Sequence, residues 1–104
     1  LSNTPFRGHK NGNYEGGIAS PLITWWPGVI TNAGAITRGL AHITDVTATC
    51  LDVAGVAYPE EFNGRSVQPL AGRSLTPLLR NHARAGGQMF WATSGSRAMR
   101  EGQW

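Results

Sequence analysis

Charge is scarce in this chain. Asp, Glu, Lys and Arg make up 14% of its 104 residues, where soluble domains carry about 25%. The shortage hints at surface that other protein normally covers, although Gly, Ser, Thr and Asn fill much of the gap. Lysine is scarcer still: Lys10 stands alone beside eight arginines. Those arginines are spread from Arg7 to Arg100 and form no basic stripe, which argues against a nucleic-acid partner. A single cysteine, Cys50, excludes an internal disulfide and a cysteine metal cluster. No apolar run approaches the ~20 residues of a membrane-spanning helix, so no membrane partner is expected. The first residues lack a leader pattern, because Pro5, Arg7 and His9 interrupt any apolar run. That leaves the compartment undefined. Leu1 in place of Met, and an end at Gln103-Trp104 that reads as the first step of a strand, make both termini read as cuts.

What is present reads as a small α+β arrangement. Residues 1–17 are rich in Gly, Asn and Pro and read as loop. Ile18–Trp26 is β-branched and aromatic, and Pro27-Gly28 closes it. It reads as a strand covered on both faces, whose neighbours would lie upstream. His42–Ala54 reads as a helix capped by Thr44 or Asp45. Val46, Cys50, Val53 and Ala54 share one face of it, and Gly55 ends it. Its β-branched residues keep a strand open as the alternative. Glu60–Gly72 reads as polar linker, Ser74–Leu79 as a short helix with Ser74 as cap, and Asn81–Gly87 as a loop free to move. Gln88–Thr93 and Arg97–Arg100 read as a hairpin around Ser94-Gly95-Ser96.

Four segments carry a resemblance. Asn3-Thr4-Pro5-Phe6-Arg7-Gly8-His9-Lys10 is followed by Tyr14-Glu15-Gly16-Gly17-Ile18, then by Pro21 and by Trp26-Pro27-Gly28. Leu51-Asp52-Val53-Ala54-Gly55 sits in the helical stretch. Leu75-Thr76-Pro77-Leu78-Leu79 follows, and Phe90-Trp91 precedes Arg97-Ala98-Met99-Arg100-Glu101-Gly102-Gln103-Trp104. At these spacings the chain resembles the sulfatase family over nearly its whole length. It departs at Ala48, where many members carry Pro or its equivalent. The resemblance implies an α/β fold, the alkaline-phosphatase-like sandwich, with a small C-terminal antiparallel subdomain. Residues 1–60 would close the large domain, 61–87 would link, and 88–104 would begin the subdomain.

By the same resemblance, Lys10 contacts the sulfate of a sulfate ester substrate. A fixed ammonium stabilises the charge that builds on sulfate and leaving oxygens, and Lys acts there as a point charge with three donors. His9 would tune the substrate side of the pocket. Arg7, Glu15, Gly16 and Gly17 would hold the loop, with Glu15 accepting backbone N–H bonds or pairing with an arginine. The glycines would cradle an anion with backbone N–H groups or simply permit tight turns. The parent would use a divalent cation, calcium or magnesium, and formylglycine. Neither the cation's ligands nor the nucleophile motif is found here. Cys50 lacks that motif and reads as a buried core residue. His9, His42 and His82 are too far apart in sequence to make a metal site. The expected function is therefore a C-terminal piece of a sulfuric ester hydrolase, inactive alone and prone to self-association. The alternatives are a non-catalytic scaffold derived from such an enzyme, or a piece of a related phosphodiesterase or phosphonate hydrolase.

Overall fold

A computed structural model describes residues 3–84, 86–93 and 95–102. Its elements, in chain order, are helix α1 (Glu15–Ile18), helix α2 (Ile43–Ala54), strands β1 (Glu61–Phe62) and β2 (Arg65–Ser66), helix α3 (Thr76–Leu79), and strands β3 (Gln88–Ala92) and β4 (Arg97–Glu101). Short helices and antiparallel hairpins make this an α+β chain. Two compact units divide it: Trp25–Arg84 forms one, and Leu1–Thr24 with Ala85–Trp104 forms the other.

The first of these units is organised around α2. The helix forms over the expected residues, but its cap lies one step earlier than the Thr44 or Asp45 read from the sequence. His42 is the N-cap, and its ring nitrogen accepts from the Thr44 N–H at 3.3 Å. Asp45 reaches back to the His42 N–H at 2.9 Å, which completes a capping box. Two N–H groups that a helix start would leave bare are thereby satisfied. Gly55 ends the helix in the left-handed conformation, φ 65°.

Helix α2 packs on α3 through small and polar side chains. Asp45, Ala48 and Leu75 are the buried residues, at 4, 6 and 5% exposure. Thr49 links the two helices: its hydroxyl donates to the Asp45 carbonyl at 2.6 Å and accepts the Leu75 N–H at 2.9 Å. Ser74 donates to the Asp52 carboxylate and accepts the Thr76 N–H at 3.1 Å, so it does serve the start of α3. The nominal cap, Leu75, offers no side-chain bond. Backbone passes close at Gly72, where an added Cβ would sit 2.1 Å from the Thr44 carbonyl oxygen.

Several sequence expectations are corrected. No strand forms over Ile18–Trp26: Ile18 belongs to α1, and the remaining residues pair with no other segment among those described. Ile23 and Trp25 are 91% and 86% exposed. β-Branched and aromatic residues favour a strand only when neighbours pack against it, and no described segment supplies one. The stretch read as polar linker contains a two-residue hairpin, Glu61↔Ser66 and Phe62↔Arg65, turned by Asn63-Gly64, both at positive φ. Cys50 is exposed rather than buried, because α2 turns the opposite face inward.

The loop expected to move, 81–87, is anchored at Arg84. Its guanidinium pairs with Asp45 at 3.0 Å and donates to the Leu40 carbonyl at 2.7 Å and the Arg73 carbonyl at 3.1 Å. Both ionic side chains are nearly out of water. In the other unit, β3 and β4 pair from Gln88↔Glu101 to Ala92↔Arg97. The hairpin read from the sequence is present, with β4 one residue longer than expected. The third strand expected at Gln103 lies outside the described residues.

Candidate functional site: the lysine loop

The loop around Lys10 is held by its main chain. The Gly12 N–H donates to the His9 carbonyl at 3.1 Å, making a turn with Lys10 and Asn11 at its centre. Asn11 takes φ 75°, the conformation that Asn tolerates better than most residues. Lys10 thus occupies the turn's leading corner, and its side chain is exposed. Its ammonium has no partner among the described residues. The neighbouring His9 Nδ1 lies 2.6 Å from the Lys10 carbonyl. A carbonyl only accepts, so Nδ1 donates and Nε2 remains open to another partner.

Behind this turn, α1 closes the loop. The Gly16 N–H donates to the Arg7 carbonyl at 2.9 Å. The Gly17 and Ile18 N–H groups both donate to the Tyr14 carbonyl, at 2.7 and 3.2 Å. Asn3 adds a side-chain bond to the Gly16 carbonyl. The Gly-Gly pair is a steric requirement. A Cβ on Gly16 would lie 2.4 Å from the Gly8 carbonyl oxygen, and one on Gly17 would lie 2.1 Å from that of Gly12. Both glycines therefore permit close backbone approach. Their N–H groups are occupied within the loop, which leaves those two donors out of any backbone cradle for an anion.

Arg7 stacks its guanidinium over the Tyr14 ring, 4.0 Å from the centroid, a favourable cation–π contact. Glu15 takes part through its backbone: its carbonyl accepts the Ala19 N–H at 2.9 Å. Its carboxylate pairs with no arginine and accepts no N–H among the described residues, contrary to the sequence expectation. Asn13 was not singled out from the sequence. Its side-chain amide is buried, and neither polar atom has a hydrogen-bond partner among the described residues. Asn3 and Tyr14 stood in the family-like string without assigned roles. The structure gives them one each, as tie and platform.

The acids of α2 are engaged elsewhere. Burial raises the Asp45 pKa, but bonds from Arg84 and from the Arg73 and His42 N–H groups outweigh it and hold the carboxyl below its ordinary range. Hydrogen bonds from Ser74 and Thr76 likewise lower Asp52. Among the described residues, no group of three or more His, Cys, Asp or Glu could hold a metal ion. Cys50, in mid-helix, stands outside the loop. The donor set for a divalent cation and the formylglycine nucleophile therefore do not fit the residues described, and no chemical step is derived through either.

Comparison with known proteins identifies the family. The family model described as N-sulphoglucosamine sulphohydrolase, C-terminal, matches residues 9–85. N-acetylgalactosamine-6-sulfatase of Canis lupus familiaris is 40% identical over 78 residues, covering 72% of this chain and 15% of that protein. A sulfatase of Formosa agariphila is 33% identical over 93 residues, 86% of this chain and 16% of its own length. N-acetylgalactosamine-6-sulfatase of Homo sapiens is 36% identical over 78 residues, 75% of this chain and 14% of its own. The chain thus spans about one seventh of the relatives it matches. With the family model covering most of its residues, the chain belongs to the sulfatase family, as a segment of the C-terminal part of such a protein.

Proposed function

We propose that this chain supplies the sulfate-contacting lysine of a sulfuric ester hydrolase, within an alkaline-phosphatase-like α/β sandwich. The observation that carries the reading is Lys10 itself: an ammonium without a partner among the described residues, at the corner of a turn fixed by backbone bonds. A preset cation of this kind stabilises charge on a sulfate ester's oxygens as the S–O bond to the leaving group breaks. It needs little rearrangement at the moment of reaction. His9, adjacent and with Nε2 open, is placed to meet the group that carries the sulfate. Arg7, Tyr14, Gly16 and Gly17 hold the loop without contacting substrate.

The remaining parts of the reaction come from outside these residues. The family typically uses a metal and formylglycine, and both would be held by residues outside this chain. The 104-residue chain alone is therefore inactive. Purified chain should leave 4-nitrophenyl sulfate intact with calcium or magnesium present, and metal-dependent turnover would overturn that reading.

The decisive experiment uses the active sulfatase polypeptide that contains this segment. Lys10→Ala should lower kcat/KM for 4-nitrophenyl sulfate by about 10²–10³. His9→Ala should change the ranking of sulfate esters more than the rate on the aryl ester. Unchanged turnover in Lys10→Ala would remove the assignment.

A further inference from the structure

Helix α2 buries one charged residue and turns apolar residues outward. Of its two charged residues, Asp45 is buried and Asp52 is exposed at the edge facing Ser74. Asp45 binds Arg84, and Asp52 accepts from Ser74. The outward face carries Ile43 at 78% exposure, Val46 at 37%, Val53 at 50%, and the exposed Cys50. At 100° per residue these four positions fall within a sector of about 80°. Asp45, Ala48 and Asp52 fall in a sector opposite to it. Solvated helix faces normally carry charged and polar side chains, and the apolar stripe faces a core. Here the solvent-facing stripe has no charge at all. The inward face is already occupied by α3 and Leu75, which Thr49 ties to the helix.

We infer that this outward stripe is an interface, and that its occupant is the rest of a longer sulfatase polypeptide. The choice of occupant follows from length. The chain covers 15% of the canine relative and 16% of the Formosa agariphila sulfatase, and the family model it matches is a C-terminal one. Its relatives carry most of their polypeptide outside the matched segment. An uncharged aliphatic stripe suits permanent burial against that polypeptide, where no water remains to solvate a charge. The inference rests on membership of the family and not on the role given to Lys10. Cys50 lies in the middle of the stripe and serves as its reporter.

The test compares two proteins: the 104-residue chain, and the natural polypeptide encoded by the longest reading frame that contains it. Each is exposed under native conditions to N-ethylmaleimide, and modification of Cys50 is followed by mass spectrometry. We expect Cys50 to react at least tenfold more slowly in the longer polypeptide. A paired substitution sharpens the reading. Val46→Asp should lower the melting temperature of the longer polypeptide, and Val46→Leu should largely preserve it. In the 104-residue chain Val46→Asp should leave the melt unchanged. Equal reactivity of Cys50 in the two proteins overturns the inference, as does a reading frame that adds no further polypeptide. Protection that grows with the concentration of the 104-residue chain alone assigns the stripe to a second copy, and also overturns it. Turnover of Lys10→Ala is read separately, so either reading can fail while the other stands.

Discussion

Two arginines make the contrast between the halves of this molecule plain. Arg84 is nearly buried and engages a carboxylate and two carbonyls from three separate stretches of chain. Arg7 is exposed and lies flat on Tyr14, while Lys10, three residues on, engages none of the described residues through its side chain. Around α2, charge is consumed in holding the unit together. Around Lys10, backbone holds the loop and charge is left over. The difference separates residues that maintain a fold from residues available to a ligand. It does so more sharply than the residue types themselves.

The largest effect should come from breaking the first half. Arg84→Ala leaves Asp45 buried and without its ionic partner, and removing one member of a buried pair costs on the order of 3–5 kcal/mol. We expect a clear drop in thermal unfolding by circular dichroism, and an unchanged melt would deny Arg84 its anchoring role. The same pair sets an acid sensitivity. The Asp45 carboxyl is held below its ordinary value of 3.8. Its stabilisation is therefore complete above that value and is lost as pH falls through the depressed folded value. Wild-type chain should lose stability through that acid window, and Arg84→Ala should lose less.

A smaller loss should follow His42→Ala, which removes the cap of α2 at a cost of about 1 kcal/mol. His42→Asn, which restores an acceptor, should recover most of it. Urea titration followed by helix signal would decide between them. The smallest effect on stability should be that of Lys10→Ala, within about 0.5 kcal/mol of wild type. If Lys10→Ala destabilised the chain as much as His42→Ala, the ammonium would have an internal duty after all. The contrast between the two halves would then collapse.

The sequence read well where structure is local. Helix α2 was legible from periodicity and from Gly55, and the β3–β4 hairpin from its alternating residues. The Asn63-Gly64 hairpin was missed in the linker reading of Glu60–Gly72: the pair is a strong turn signal, but flanking strands of two residues give little pattern to notice. The capping box was misplaced by treating Thr44 and Asp45 as the acceptors, although His42 can accept through a ring nitrogen. Periodicity located the apolar stripe of α2 correctly and then assigned it to the interior. A pattern defines a face but not what covers it. Ile18–Trp26 failed for the same reason, because a strand needs partners that the described residues do not provide. Arg84 was hidden among scattered arginines, since no local motif marks a contact made across 39 residues. At the candidate site, the family-like string brought out Lys10, His9 and the Gly-Gly pair. The buried amide of Asn13 had no signature in sequence.

The backbone closure at Gly16 and Gly17 has a consequence for how this loop can change over generations. The turn bearing Lys10 is fixed by carbonyls and N–H groups that every residue possesses, apart from the two sites where any side chain collides. The side chain of position 9, on the exposed rim, takes no part in the backbone closure, whereas position 11 needs a residue that accepts φ 75°. The loop therefore separates a fixed address for a charge from a border residue whose side chain the closure does not use.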